Sequence, residues 1–308
     1  MITRVEEILA MARRTEPSPR LVLAGSENAS ALETTLTAQR EGIADAVLVG
    51  DPDKTRAMAA ELSLDISGAE MIDCRDAAAC AATALDCIKS GQADILVKGH
   101  ISTHVMLKGV LDRNYGFRTD RALSHISVFN VPEEDRVLII TDAGVNVQPD
   151  LARKRDILLN AVDMAHALGF DRPKVAVMSF VEEMTDSRIG SQADAKALSD
   201  MYLAGDIPGC VVEGPYSFDV ALSREAAEIK GITGEVAGQA DIIVMNDLGM
   251  GNILYKALLL WVKPMLAAVV MGSRIPLVVP SRADSLQTKL NSVALATVVL
   301  QHLRAKAL

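Results

Sequence analysis

The stretch Glu213–Lys256, EGPYSFDVALSREAAEIKGITGEVAGQADIIVMNDLGMGNILYK, decides how the rest of the chain is read. Gly214-Pro215 is a turn signal that leads into Asp219. Ser223 to about Lys230 has the spacing of a short amphipathic helix. Val236-Ala237-Gly238 feeds the apolar run Asp241–Met245, which ends at Asn246-Asp247, and Gly249-Met250-Gly251-Asn252 opens a long apolar helix. A short apolar run bounded by polar residues predicts a buried parallel strand. A Gly-rich turn from the C-terminal end of such a strand into a helix is where open α/β sheets bind ligands. The helix start offers free N–H groups and a positive dipole end to an anion. The same spacing also serves an ordinary strand–turn–helix connection, and it is neither a G-x-G-x-x-G nor a P-loop pattern. At this point both readings stand.

Outward from this stretch, short apolar strands alternate with helical patterns. Leu21–Ala24, Ala46–Val49, Glu70–Ile72, Asp94–Val97, Val137–Thr141, Lys174–Ser179, Gly209–Val212 and Ile275–Val279 read as strands. Helices are predicted over Val5–Arg13, Ala29–Glu41 behind Asn28, from Pro52, from Asp76 to Lys89, Pro149–Leu168, Ser191–Ala204, and from Asp284 or Ser285 to the C-terminus. The alternation means βαβ units and parallel sheets, an α/β chain. At 308 residues it is too long for one typical core, so two domains are expected.

Half the residues are apolar but only 3% are aromatic, so the core must be built from Ala, Val, Leu, Ile and Met. The formal net charge is −9 and no Lys/Arg run stands out, which excludes a nucleic-acid partner. Cys74, Cys80, Cys87 and Cys210 form no CxxC pair and read as free thiols of a reducing compartment. The N-terminus lacks a signal-peptide apolar region. The longest apolar stretch, Ile253–Gly272, is broken by Lys256, Lys263 and Pro264, so no membrane span is expected. It reads as a buried or interface helix, and the protein as soluble and cytoplasmic. His100 and His104 lie at i, i+4 but have no third ligand in view, so no metal is expected.

Gly251-Asn252 with Tyr255-Lys256 resembles the GN-x-x-YK signature of the phosphate acetyltransferase/phosphate butyryltransferase family. Gly214-Pro215, Asp219, Lys230-Gly231, Val236-Ala237-Gly238 and Asp241 fall in that family's order, as does Ser281-Arg282-Ala283-Asp284-Ser285. The last motif resembles the butyryltransferase branch. The resemblance runs from about Asp94 to about Leu300. Glu213 stands where an Asp is usual, Asn246 where a Pro is usual, and Thr288 where the acetyltransferase branch has a functional Asp. The family's fold is similar to that of isocitrate and isopropylmalate dehydrogenases, with the active site in an interdomain cleft. The resemblance therefore implies a discontinuous first domain, 1–143 plus 270–308, and an inserted second domain, 144–269.

The reaction it implies is acyl-CoA + phosphate ⇌ acyl phosphate + CoA, on a short acyl group such as butyryl or acetyl, by direct attack in a ternary complex. Coenzyme A is then substrate and product, no tightly bound cofactor is needed, and a homodimer is implied, for which Leu258–Met271 would suit the interface. Two anionic substrates must be held in line, and the carbonyl oxygen needs a positive partner as charge develops. Arg282 is the first choice for that role, with Ser281 hydrogen-bonding the phosphate or carbonyl. Asp284 is the candidate acid/base and equally a helix cap; Asp142 and Asp247 are alternatives. For substrate binding, the turn Lys98-Gly99-His100-Ile101-Ser102-Thr103 with Lys108 resembles the family's phosphate or CoA loop. Arg118 offers a phosphate clamp and Ser124 lies in a similar Ser-His stretch. Asp142 and Asn146 lie at a strand end, and Asp247, Gly251, Asn252 and Lys256 lie in the opening stretch. Rival readings are a metal- and NAD(P)-dependent dehydrogenase of the same fold and a non-catalytic CoA- or acyl-phosphate-binding protein.

Overall fold

Runs such as Leu21-Val22-Leu23-Ala24 and Ile95-Leu96-Val97 are too short for helices and apolar on both faces, and each becomes a fully buried strand. The computed structural model describes residues 1–186, 188–281 and 283–307. The chain divides into two compact units. The outer unit comprises Val5–Asp120 and Leu266–Leu308; the inserted unit comprises Arg121–Met265 together with Met1–Arg4.

The outer unit contains α1 (Glu6–Ala12), β1 (Arg20–Ala24), α2 (Ala29–Arg40), β2 (Asp45–Gly50), α3 (Pro52–Glu61), β3 (Glu70–Asp73), α4 (Ala77–Lys89), β4 (Ile95–Lys98) and α5 (Thr103–Val110). The inserted unit follows with β5 (Ser124–Asn130), β6 (Val137–Thr141), α6 (Leu151–Ala167), β7 (Lys174–Met178), α7 (Gly190–Leu203), β8 (Val211–Tyr216), α8 (Phe218–Leu222), α9 (Arg224–Ile229), β9 (Ile242–Val244) and α10 (Leu248–Ala257). A π-helical turn, Leu258–Val262, extends α10. The chain then returns to the outer unit as β10 (Leu266–Met271), β11 (Leu277–Val278) and α11 (Leu286–Ala307).

Strand order in the outer unit is β3-β2-β1-β4-β11-β10, parallel except for β10 against β11. In the inserted unit it is β5-β6-β9-β7-β8, parallel except for the β5–β6 hairpin, where Ile126 faces Thr141. The α/β, mostly parallel architecture is therefore as the alternation implies. The inserted unit starts at Arg121 rather than at Gly144, because β5 is tied to β6 and β6 to β9. It ends at Met265, just before β10 joins β11.

One expectation is corrected outright. The apolar stretch Ile253–Gly272 is not one helix: the helix and its π turn end at Val262, and Leu266–Met271 is strand β10. Lys263 takes a left-handed φ of 50° and Pro264 has no N–H to continue the helix. Leu266, Ala267, Val269 and Val270 are then buried in the sheet, a pattern that periodicity alone does not distinguish from a buried helix. Among the described residues, no helix is long and apolar enough to cross a membrane. The core is aliphatic, with Leu21, Ile95, Ile139 and Leu295 fully buried.

Candidate active site

In the outer unit the carboxyl ends of β1, β4 and β11 open into a cavity of about 580 Å³. Lys98, Gly99, Ser102 and Ser281, all singled out from the sequence, line it. So do Asn28–Ala31 at the start of α2, Ala77 at the start of α4 and Lys289 of α11. Asn28 caps α2 by accepting the Ala31 amide at 2.9 Å, Asp76 caps α4, and Ser102 caps α5 by accepting the Val105 amide at 3.1 Å. Three helix N-termini thus meet one cavity, and among the described residues no Asp or Glu lines it. That combination suits an anion.

Gly99 is there for close approach. A Cβ on it would run into the backbone oxygens of Ala24 and Gly25. The Gly99 and His100 amides donate to Ala24 and Gly25 carbonyls at 3.0 and 2.7 Å, which locks the β4 turn against the β1 turn. Thr103 and Lys108 follow on the exposed side of α5. Arg118 is exposed, on a segment whose backbone pairs with Ser273.

The motif after β11 folds into its own turn. Asp284 Oδ2 accepts the Ser281 amide at 2.7 Å, and Ser281 Oγ accepts the Ala283 amide at 3.3 Å. The cap of α11 is Ser285, whose Oγ accepts the Thr288 amide at 3.1 Å. Arg282 lies outside the described residues.

In the inserted unit the predicted residues are engaged mostly with one another. Asp142 is buried, and its carboxylate accepts from the amides of Gly144, Val145, Asn146 and His125 and from the Asn146 side chain, with distances from 2.6 to 3.3 Å. Asn146 also donates to the Leu123 carbonyl at 2.7 Å. Both residues brace the turn after β6, and a carboxylate so occupied has no lone pair left for a substrate proton. Ser124 is fully buried and its hydroxyl receives Asn160 at 2.9 Å, which places it in the core rather than on a ligand. Asp247 caps α10 through the Met250 amide at 2.9 Å. Gly251 lets α10 seat on the same turn, since a Cβ there would collide with the Asp142 carbonyl oxygen, and Asn252 donates to the Ala143 carbonyl at 3.2 Å. Lys256 is exposed and makes no ion pair among the described residues, Asp247 included.

The departures from the family pattern have structural work. Glu213 accepts the Glu235 and Val236 amides and the Tyr216 hydroxyl at 2.8–3.1 Å. Asn246 receives the buried Lys154 ammonium at 2.5 Å, and Asp194 receives it at 2.6 Å. Glu182 accepts from Lys230 and Ser217. No group of three His, Cys, Asp or Glu residues able to hold a metal occurs among the described residues. The four cysteines are free, and burial pushes the Cys80 thiol up to about 12 and the Cys210 thiol to about 11.

Lys289 is the residue the sequence reading passed over. A signal was present: a lysine in the first turn of a helix opposes the macrodipole, so it needs a separate reason to be there.

The family described as "phosphate acetyl/butaryl transferase" matches residues 4–86 and 75–297. A phosphate butyryltransferase of Clostridium acetobutylicum is 39% identical over 97% of this chain and 99% of its own length. A phosphate acetyltransferase of Rhizobium meliloti is also 39% identical, over 98% of this chain and 95% of its own. A solved branched-chain phosphotransacylase from Enterococcus faecalis superposes with a TM-score of 0.79 at 28% identity, covering 92% of this chain and 99% of that one. From its sequence, its fold and its near full-length relatives, this chain belongs to the phosphate acetyl/butyryl transferase family.

Proposed function

We propose that this chain is a phosphate acyltransferase, catalysing acyl-CoA + phosphate ⇌ acyl phosphate + CoA on a short acyl group such as butyryl or acetyl. The observation that carries the reading is the cavity in the outer unit. Among the described residues it gathers three helix N-termini and two lysines without an acidic residue, in a chain of net charge −9. Relatives named for butyryl and for acetyl transfer stand at the same 39% identity, so both chain lengths belong to the proposal.

In the CoA-acylating direction the thiolate sulfur attacks the acyl carbonyl, the carbonyl electrons move onto oxygen, and their return breaks the bond to phosphate. In reverse, a phosphate oxygen attacks the thioester and CoA leaves as thiolate. Neither direction requires a protein nucleophile. A thiol pKa near 8.5 means that a modest base or nearby cation suffices. Arg282 is proposed to stabilise the oxyanion or the phosphate through its planar fork, beside Ser281. Asp284, which fixes the Ser281 turn, is the acid/base candidate that this geometry favours over the fully occupied Asp142. Lys98, Gly99 and Ser102 supply the anion-binding wall; Thr103, Lys108 and Arg118 are exposed groups for the phosphates of CoA. Asn146, Asp247, Gly251 and Asn252 act by shaping the inserted unit, and Lys256 stays available to an anion.

Coenzyme A enters as substrate and product, with no tightly bound cofactor. The reading also carries a cytoplasmic location, in keeping with the free thiols, and a homodimer, for which exposed Ile253, Leu260 and Trp261 supply an apolar surface. The test is thiol release from acetyl-, propionyl-, butyryl- and longer acyl-CoA, with and without phosphate. Phosphate-dependent release, fastest with a short chain, is expected. Folded protein that releases no CoA from any of them would overturn the reading.

A further inference from the structure

We propose that Lys289 binds the phosphate group that is transferred: inorganic phosphate in one direction, the phosphoryl end of the acyl phosphate in the other. The inference rests on the phosphate acyltransferase reading and names a residue that the sequence motifs do not include.

Lys289 is 5% exposed. Its ammonium donates to the Ser30 hydroxyl at 2.6 Å and makes no ion pair among the described residues. An ammonium carries three N–H donors and a full charge, and one neutral hydroxyl does not compensate for taking that charge out of water. Lys154 shows what a structural buried lysine looks like in this same protein: it is bonded to Asp194 and Asn246. At Lys289 the carboxylate is missing, and the residue instead lines the acid-free cavity with Ser30, Lys98, Gly99 and Ser102. Packing alone would be served by methionine. An anion that enters and leaves with the reaction explains both the buried charge and the lack of a carboxylate partner among the described residues. Ser281 lies on the same cavity, so a phosphate held by Lys289 is next to the turn that carries the Ser281-Arg282 motif.

The experiment is steady-state kinetics on the full-length protein in the direction of acyl phosphate formation. Phosphate is varied at saturating acyl-CoA and acyl-CoA at saturating phosphate. The variants are Lys289→Met and, independently, Ser30→Asp, which sets a carboxylate against the ammonium at a helix first turn where an acid is tolerated. Each variant should raise the KM for phosphate by about tenfold or more, the scale of a lost charge-assisted hydrogen bond, with the KM for acyl-CoA changed less than about twofold. A KM for phosphate near wild type in either folded variant would overturn the proposal. A rise confined to acyl-CoA would also overturn it, by assigning Lys289 to the phosphates of CoA. If Lys289→Met does not fold, Ser30→Asp decides alone. Wild-type protein without phosphate-dependent turnover sinks the reaction itself, an outcome separate from either variant.

Discussion

Asp142 and Ser124 show how a side chain's partners change its meaning. Both are polar residues near strand ends, where ligands bind in open sheets. Asp142 is saturated by donors of its own turn and Ser124 is closed into the core by Asn160. Removing either would leave buried donors unmatched, so both are expected to matter for stability first. The amides of Ser281 and Ala283 are bonded to Asp284 and Ser281 side-chain oxygens, and the role proposed for Arg282 is catalytic. Arg282→Ala should lower kcat/KM by about 10²–10³-fold, the usual loss for one oxyanion donor, with the melting temperature little changed. Thiol release and thermal unfolding on the same preparation check this, and near wild-type turnover would remove Arg282 from its role.

At the level of elements, the seat of α10 on the turn after β6 is set by Gly251. Alanine in a helix is worth about 1 kcal/mol over glycine in propensity. Here its Cβ would strike the Asp142 carbonyl oxygen, which is backbone and gives way poorly. Overpacking of that kind costs about 1–3 kcal/mol. Gly251→Ala should therefore destabilise the protein, by up to about 2 kcal/mol net, read from chemical denaturation; a midpoint above wild type would show that α10 is free to shift. The starts of α2, α3, α4 and α5 were legible because each has a capping residue: Asn28, Asp51, Asp76 and Ser102 all accept helix amides. Strand β10 was not legible, since a buried strand and a buried helix share the same unbroken apolar composition.

On the scale of the whole molecule, acidic charge dominates while the cavity of the outer unit is kept free of carboxylates. The other prominent surface feature is apolar: Ile253 is 73%, Leu260 65% and Trp261 79% exposed. Aromatic residues are 3% of this sequence, and its lone tryptophan, left in water beside two exposed aliphatics, is the surface on which the homodimer is proposed. In the proposed homodimer, Trp261→Glu should convert the protein to single chains at micromolar concentration, as measured by light scattering on a sizing column. Wild-type protein running as a single chain would reject the dimer.

The sequence by itself determined the α/β class, the helix starts, the family and the Ser281-Arg282 motif, because caps, turn glycines and strand-end motifs are local and survive as patterns in one dimension. It also contained Lys98, Gly99 and Ser102 as a candidate anion turn. Only the tertiary structure decided which polar residues line the cavity and which are spent on their own turn. Lys289 and Ser30 are 259 residues apart and meet over one cavity, whereas Asp142 and Asn146, four apart, spend their hydrogen bonds mainly on their own turn. Burial and partner count depend on which distant segments pack together, and no local pattern carries that information.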